Sequence, residues 1–188
     1  MNAPAGIRTC LYDTQALERV MDRMAMQTAP LLQDRDKVAV IGILRRGAPL
    51  ADQLVDRLTR QHGLPPPLRL DLKVKRYADD LTLLHPETQL TEAAGQADLD
   101  LSGYTLLVVD DVLYTGHSLL RLMEYLRHKQ PAAIRVAVLA DRLDTRLPVK
   151  ADVVGARLEI APDHIIECNV PPYEPTFRMD LLQPRPTT

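Results

Sequence analysis

At 188 residues with a net charge of −2 and a pI near 6.2, the chain is long enough to bury the core of one domain and carries no chain-wide attraction for nucleic acid or anionic lipid. Two cysteines, Cys10 and Cys168, without a CxxC pair, speak against a disulfide framework or a zinc cluster and for a reducing cytoplasm. No apolar run approaches the roughly 18 residues of a membrane span, and the start MNAPAGIRT lacks the apolar stretch of a signal peptide.

After a short N-terminal extension, Leu17, Val20, Met21, Met24, Ala25 and Thr28 recur at helical spacing, with Asp13 placed to cap the helix and Pro30 to end or follow it. Lys37–Ile43 is β-branched and apolar, the pattern of a strand buried on both faces of a parallel sheet. The turn Leu44-Arg45-Arg46-Gly47 leads to a second helix. Pro49 sits in its first turn, Leu50, Ala51, Leu54, Val55 and Leu58 form its apolar face, and Gly63 stops it. Pro65-Pro66-Pro67 is a stiff connector.

Leu68–Tyr77 alternates as a half-exposed strand, and Leu81–Leu84 reads as the returning arm of a hairpin. His85 to Gly103 is long and polar, a length that in a compact domain is either functional or disordered. Leu106–Val109 is a buried strand, followed by Asp110 and Asp111, a turn, and a helix running to about Lys129. Ile134–Ala140 is a further buried strand, ending in Asp141-Arg142-Leu143-Asp144. Ala151–Gly155 and His164–Cys168 are two short strands, and the proline-rich tail from Pro171 is expected to lie extended over the surface. Strands alternating with helices predict a three-layer α/β domain around a mostly parallel sheet. Ligands of such sheets gather beyond the C-terminal strand ends, where the sequence puts its polar turns.

The stretch LLVVDDVLYTGHSLL at 106–120 carries the most chemistry. A strand, a turn with Thr115, Gly116 and Ser118, and a helix start aim backbone N–H groups at one point and favour an anion there. A carboxylate accepts two hydrogen bonds at once, which suits the vicinal diol of a ribose. Asp110 and Asp111 beside such a turn therefore describe a site for a ribose 5-phosphate. An Asp-Asp pair alone would equally be an ordinary solvated strand end. It is the whole stretch that is specific.

This stretch resembles the 5-phosphoribosyl-1-pyrophosphate (PRPP) motif of type I phosphoribosyltransferases. Together with GILRRGAPLADQL, YADDLTLL and VAVLADRLDTRLPVKADVVG it is similar to one branch of that family, the pyrimidine-operon attenuator proteins that are also uracil phosphoribosyltransferases. The resemblance implies a five-stranded parallel core with a small hood and a flexible lid loop, here Lys73–Gly95. It also implies Mg²⁺, a dimer-based homo-oligomer in the cytoplasm, and transfer of phosphoribose from PRPP to uracil. By the same resemblance Leu113, Tyr114, Thr115, Gly116, His117 and Ser118 hold the 5-phosphate, and Asp110 and Asp111 hold the diol, Asp110 being also a possible magnesium ligand. Arg45, Arg46 and Gly47 take the pyrophosphate, with a non-proline cis peptide expected at Arg45–Arg46. Lys75 and Arg76 are either further pyrophosphate ligands or a solvated strand edge. Ala140, Asp141 and Arg142 line the base.

Tyr114 stands where purine members of the family carry an acid, which favours a pyrimidine and leaves a purine base as the rival substrate. The chain departs from the branch at His117, usually Arg, at Ala78, usually Arg, and in Leu143-Asp144-Thr145-Arg146, usually Gly-His-Arg-Glu. The last departure, with a first helix whose charges nearly cancel, weighs against the alternative of an RNA-binding regulator. Arg142, Arg146 and Lys150 remain as a small basic patch.

Overall fold

The computed structural model describes residues 6–73, 91–92 and 99–185. Lys75, Arg76, Ala78, the expected strand arm Leu81–Leu84 and most of the expected lid lie outside them. In chain order the elements are β1 (Gly6–Tyr12), α1 (Thr14–Leu32), β2 (Val38–Leu44), α2 (Gly47–His62), β3 (Leu68–Lys73), β4 (Thr91–Glu92), β5 (Thr105–Leu113), α3 (His117–Arg127), β6 (Ala133–Asp141), β7 (Val153–Arg157), β8 (Ile165–Asn169) and β9 (Arg178–Pro184).

The main sheet has the order β4-β3-β2-β5-β6-β7. β3, β2, β5, β6 and β7 are parallel, and the two-residue β4 adds an antiparallel edge through Leu72↔Glu92 and Lys73↔Thr91. Side chains alternate across β5. Leu107 and Val109 pack with α1 and α2 on one face, while Leu106 and Val108 pack with Leu119, Leu122 and Leu126 of α3 on the other. This is the three-layer α/β arrangement read from the sequence. The chain leaves β2 for β3 on one side and returns to β5 on the other, so the strand order switches between β2 and β5. Their C-terminal turns flank the crevice in which ligands of open parallel sheets bind.

Local chemistry sets the helix limits. The Asp13 carboxylate accepts the Ala16 N–H at 2.8 Å and caps α1. Pro30 does not end α1, which runs on to Leu32. A proline in the last turn forfeits one bond, to the carbonyl of Met26, whose side chain lies on the solvent face. Gly63, at φ +67°, closes α2 in the left-handed conformation, with the Leu64 N–H on the Leu58 carbonyl at 3.2 Å.

The second sheet corrects the reading of both chain ends. β1, β9 and β8 form a three-stranded antiparallel sheet in that order, the hood over the C-terminal edge of the main sheet. The stretch read as an N-terminal extension is β1, and the tail read as extended over the surface contains β9. Phe177, Met179 and Leu182 are buried, and Phe177 and Met179 join the core on the α1 side.

Candidate functional site

A cleft of about 1140 Å³ opens between the ends of β2 and β5, the turn before α3, and the hood. Its core wall carries Arg46, Asp110, Asp111 and residues 112–116 with Ser118. Its hood wall carries Arg8, Glu167, Asn169, Arg178 and Asp180.

β5 continues to Leu113, so Asp110 and Asp111 lie within the strand rather than beyond it and their side chains diverge to opposite faces. Asp111 is buried. Its Oδ1 accepts the Val112 N–H at 3.0 Å, and its Oδ2 lies 3.9 Å from Nη1 of Arg46. The Asp110 carboxylate accepts the Asp111 N–H at 2.8 Å.

Gly116, at φ +89°, turns the chain into α3 and precedes a first helical turn without a side-chain cap. Its missing Cβ matters twice, because a side chain there would be strained and would also overlap Val149. The Thr115 carbonyl accepts the Arg146 N–H at 3.0 Å, which ties the turn to the segment after β6. His117 does not line the cleft, and its Nδ1 lies 3.0 Å from the Thr115 hydroxyl.

Tyr114 joins core to hood. Its hydroxyl accepts the Ile166 N–H at 3.1 Å and donates to the Ile166 carbonyl at 3.3 Å. Burial pushes its phenol above the ordinary tyrosine range, so the ring stays neutral. The Arg142 guanidinium stacks on that ring at 5.1 Å and donates to the carbonyls of Ala161 and Pro162.

At the start of α2, Arg46 is held by Glu174. Nη2 donates at 2.6 Å, and Nε lies 3.2 Å from both carboxylate oxygens. Burial works against the Arg46 charge, but the bonded Glu174 and nearby Asp111 keep its pKa above the usual value. Burial likewise opposes ionisation of Glu174. The Arg46 bond, the Val170 N–H at 2.9 Å and the charges of Arg46 and Arg45 nevertheless hold its carboxyl below the usual range.

The chain matches the phosphoribosyl transferase domain family over residues 8–176. The chain belongs to the phosphoribosyltransferase family. Among curated proteins it is similar to the bifunctional protein PyrR of Clostridium perfringens, 28% identical over 94% of this chain and 98% of the relative. It is similar also to the protein of that name from Deinococcus radiodurans, 29% identical over 98% of both, and from Clostridium acetobutylicum, 30% identical over 88% and 92%. These relatives place it on the PyrR-like branch. Among solved structures it superposes on a hypoxanthine phosphoribosyltransferase of Trypanosoma cruzi with a TM-score of 0.72, at 18% identity over 94% of this chain and 97% of the other. A hypoxanthine phosphoribosyltransferase of Staphylococcus aureus gives 0.73, at 18% identity over 94% and 93%. At that identity the two structures speak for the fold.

In this phosphoribosyltransferase, the residues of the expected phosphate turn, apart from His117, and both acids line one cleft. The pyrophosphate turn is less uniform. The cis peptide lies at Leu44–Arg45, one residue before its expected place. Arg46 lines the cleft, Arg45 is exposed with its guanidinium 4.8 Å from the Tyr173 ring, and Gly47 packs where a Cβ would overlap the Val109 carbonyl. Of the three residues expected around the base, Arg142 alone lines the cleft. Ala140 is fully buried in the sheet, and the Asp141 carboxylate accepts the Leu143 N–H at 2.9 Å.

The hood wall is what sequence reasoning missed. Arg8 clamps Glu167 through two bonds of 2.7 and 3.0 Å, while Asn169 and Arg178 both donate to the buried Asp180. The alternation of polar and apolar residues in Arg178-Met179-Asp180-Leu181 is the signal that marks this strand.

Proposed function

We propose that this phosphoribosyltransferase transfers the 5-phosphoribosyl group of PRPP to uracil, giving UMP and pyrophosphate. The observation that carries the reading is the meeting in one cleft of Asp110, Asp111, the Thr115–Gly116–Ser118 turn and the uncapped start of α3. The turn and helix N–H groups suit the 5-phosphate, and a strand-end carboxylate suits the diol. The reaction breaks the bond from C1 of the ribose to pyrophosphate and forms one from C1 to a ring nitrogen, through a transition state with oxocarbenium character. The chain's contribution is to orient the ribose, receive the leaving charge at the start of α2 and exclude water under the hood.

Among the described residues no cluster of three or more His, Cys, Asp or Glu side chains is assembled for a metal ion. The cleft wall carries carboxylates, which fits a hard Mg²⁺ ion held chiefly by substrate oxygens and water, with Asp110 within the wall. Such an ion supplies charge neutralisation on the diphosphate.

For the base, Tyr114 favours a pyrimidine. Its hydroxyl is committed to Ile166 and the ring is neutral, so this position offers no carboxylate to a purine ring nitrogen. The test is product nucleotide formation from uracil, hypoxanthine, guanine, xanthine, orotate and adenine, each with PRPP and Mg²⁺. Uracil should react best. A clear win for hypoxanthine or guanine refutes the use of Tyr114, and no reaction with any base refutes the enzyme.

A second reading, an RNA-binding regulator, has the word "bifunctional" in the relatives' name in its favour. Against it, Arg142 is buried on the Ala161 and Pro162 carbonyls and leaves the basic patch, while Arg23 donates to the Gly155 carbonyl. RNA binding needs free Lys and Arg on phosphates. Anisotropy titration with a pyrimidine-operon leader RNA should give weak binding. Sub-micromolar, UMP-enhanced binding at physiological salt would put the regulator first.

A further inference from the structure

The segment between β8 and β9 lies across the turn that the phosphoribosyltransferase reading assigns to diphosphate. Two adjacent side chains of that segment engage the two arginines of the turn. Tyr173 covers the Arg45 guanidinium at 4.8 Å, and Glu174 takes Nε and Nη2 of Arg46. The remaining nitrogen of Arg46, Nη1, faces Asp111 at 3.9 Å. All three nitrogens of the guanidinium therefore face carboxylates. The segment is itself folded for this contact. The Val170 carbonyl accepts the N–H groups of Tyr173 and Glu174 at 3.1 and 3.3 Å, and the Val170 N–H donates back to the Glu174 carboxylate at 2.9 Å.

Charge makes the consequence definite. Arg45 and Arg46 with Glu174 and Asp111 sum to zero, so for as long as Glu174 stays the turn offers an entering diphosphate no net positive charge. Asp111 is buried in the strand end, whereas Glu174 reaches in from a loop at the cleft rim.

We propose that Glu174 is a resident anion on Arg46, a carboxylate that the diphosphate of PRPP must displace, and so a determinant of how tightly diphosphate ligands bind. This rests on the PRPP reading of the cleft. Glu174 acts on the diphosphate end alone, because the 5-phosphate turn lies at the start of α3 and has no contact with the 170–174 segment among the described hydrogen bonds. If Arg46 is released from Glu174 about a tenth of the time, diphosphate affinity is about tenfold below that of an unobstructed site.

The test titrates the full chain and its E174Q and E174A variants with Mg²⁺-pyrophosphate, PRPP and ribose 5-phosphate by calorimetry. E174Q keeps the size and an acceptor for the Val170 N–H, and so reports on charge even where E174A folds poorly. Expected are about tenfold tighter pyrophosphate and PRPP binding in the variants and unchanged ribose 5-phosphate binding. Equal or weaker diphosphate binding, with ribose 5-phosphate intact, overturns the proposal and makes Glu174 a residue that positions Arg46. Failure of both ribose 5-phosphate and PRPP to bind any form, wild type included, removes the PRPP reading and the inference with it.

Discussion

Replacing Gly116 with alanine tests whether the turn before α3 is as constrained as its geometry indicates. Two costs are separable. The first is conformational, since φ is +89° and a left-handed backbone costs a residue with a Cβ roughly 1–2 kcal/mol. The second is crowding. The new Cβ would overlap a methyl of Val149, with Leu147 at 3.8 Å and Thr145 at 3.9 Å behind it, and overpacking of this kind costs about 1–3 kcal/mol. Together they predict a loss of about 2–5 kcal/mol, which for a domain of this size lowers Tm by roughly 4–20 °C. Gly63 supplies the internal control. Its φ is +67°, yet nothing lies within 4 Å of the added carbon, so Gly63→Ala should show the conformational cost alone, a fall of about 2–8 °C. Scanning calorimetry of the two variants gives the difference, and titration with ribose 5-phosphate gives its functional counterpart. Relief of the overlap pushes the turn away from Val149, and a misplaced phosphate turn should cost Gly116→Ala at least tenfold in affinity while Gly63→Ala loses none. Equal melting points, with wild-type ribose 5-phosphate binding in both, would refute the assignment of crowding and function to this turn.

Asp110→Asn and Asp111→Asn should each weaken ribose 5-phosphate binding by roughly 1–3 kcal/mol by exchanging a charged acceptor for a neutral one; wild-type affinity in both by calorimetry would make the acids ordinary strand residues. Tyr114→Phe removes both bonds to Ile166 and leaves that main-chain pair without its partner, so urea unfolding should show a loss of about 1–3 kcal/mol, and no loss would mean that the hood is held without it. Glu174 sets a pH dependence whose sign follows from its lowered pKa. Its stabilising effect is fully present above the unfolded value of 4.5 and is lost as pH falls through the lower folded value. The stability gap between wild type and E174Q, measured by urea unfolding, should therefore close in acid below pH 4.5, and a gap that persists or widens there would contradict the pairing with Arg46.

Elements whose signal is local were legible in the sequence. β2, β5 and β6 read as buried strands because parallel strands covered on both faces are continuous apolar runs. Asp13 and Gly63 mark helix ends by chemistry confined to one turn. The hood was not legible in the same way, because β1 and β9 lie at opposite ends of the chain and gain their burial from each other, from β8 and from α1. A strand with one apolar face and prolines beside it looks like a tail until its partner is known. The site divides along the same line. The acids and the phosphate turn are contiguous in sequence, so their juxtaposition could be anticipated. Arg46 was visible as a cation, but its partner Glu174 stands 128 positions away. Arg142 was read as a base-site and surface residue, whereas the carbonyls that bury it belong to a loop with no sequence signature.

The hood also orders events in time. Cys10 pairs with Asp180, and Arg8 reaches Glu167, 159 positions away, so the sheet that roofs the cleft closes a loop containing the main sheet. Closing so long a loop carries a large entropic cost that the parallel core must first reduce by compacting the intervening chain. The expected order is core first and roof last, with the roof first to leave on partial unfolding. Between those two events the expected species is a folded core that holds the Thr115–Ser118 turn without Arg8, Arg178 or Asp180 above it. A ligand that touches both walls closes that gap, and its binding is felt as slowed hydrogen exchange in β1, β8 and β9 before it is felt anywhere in the main sheet.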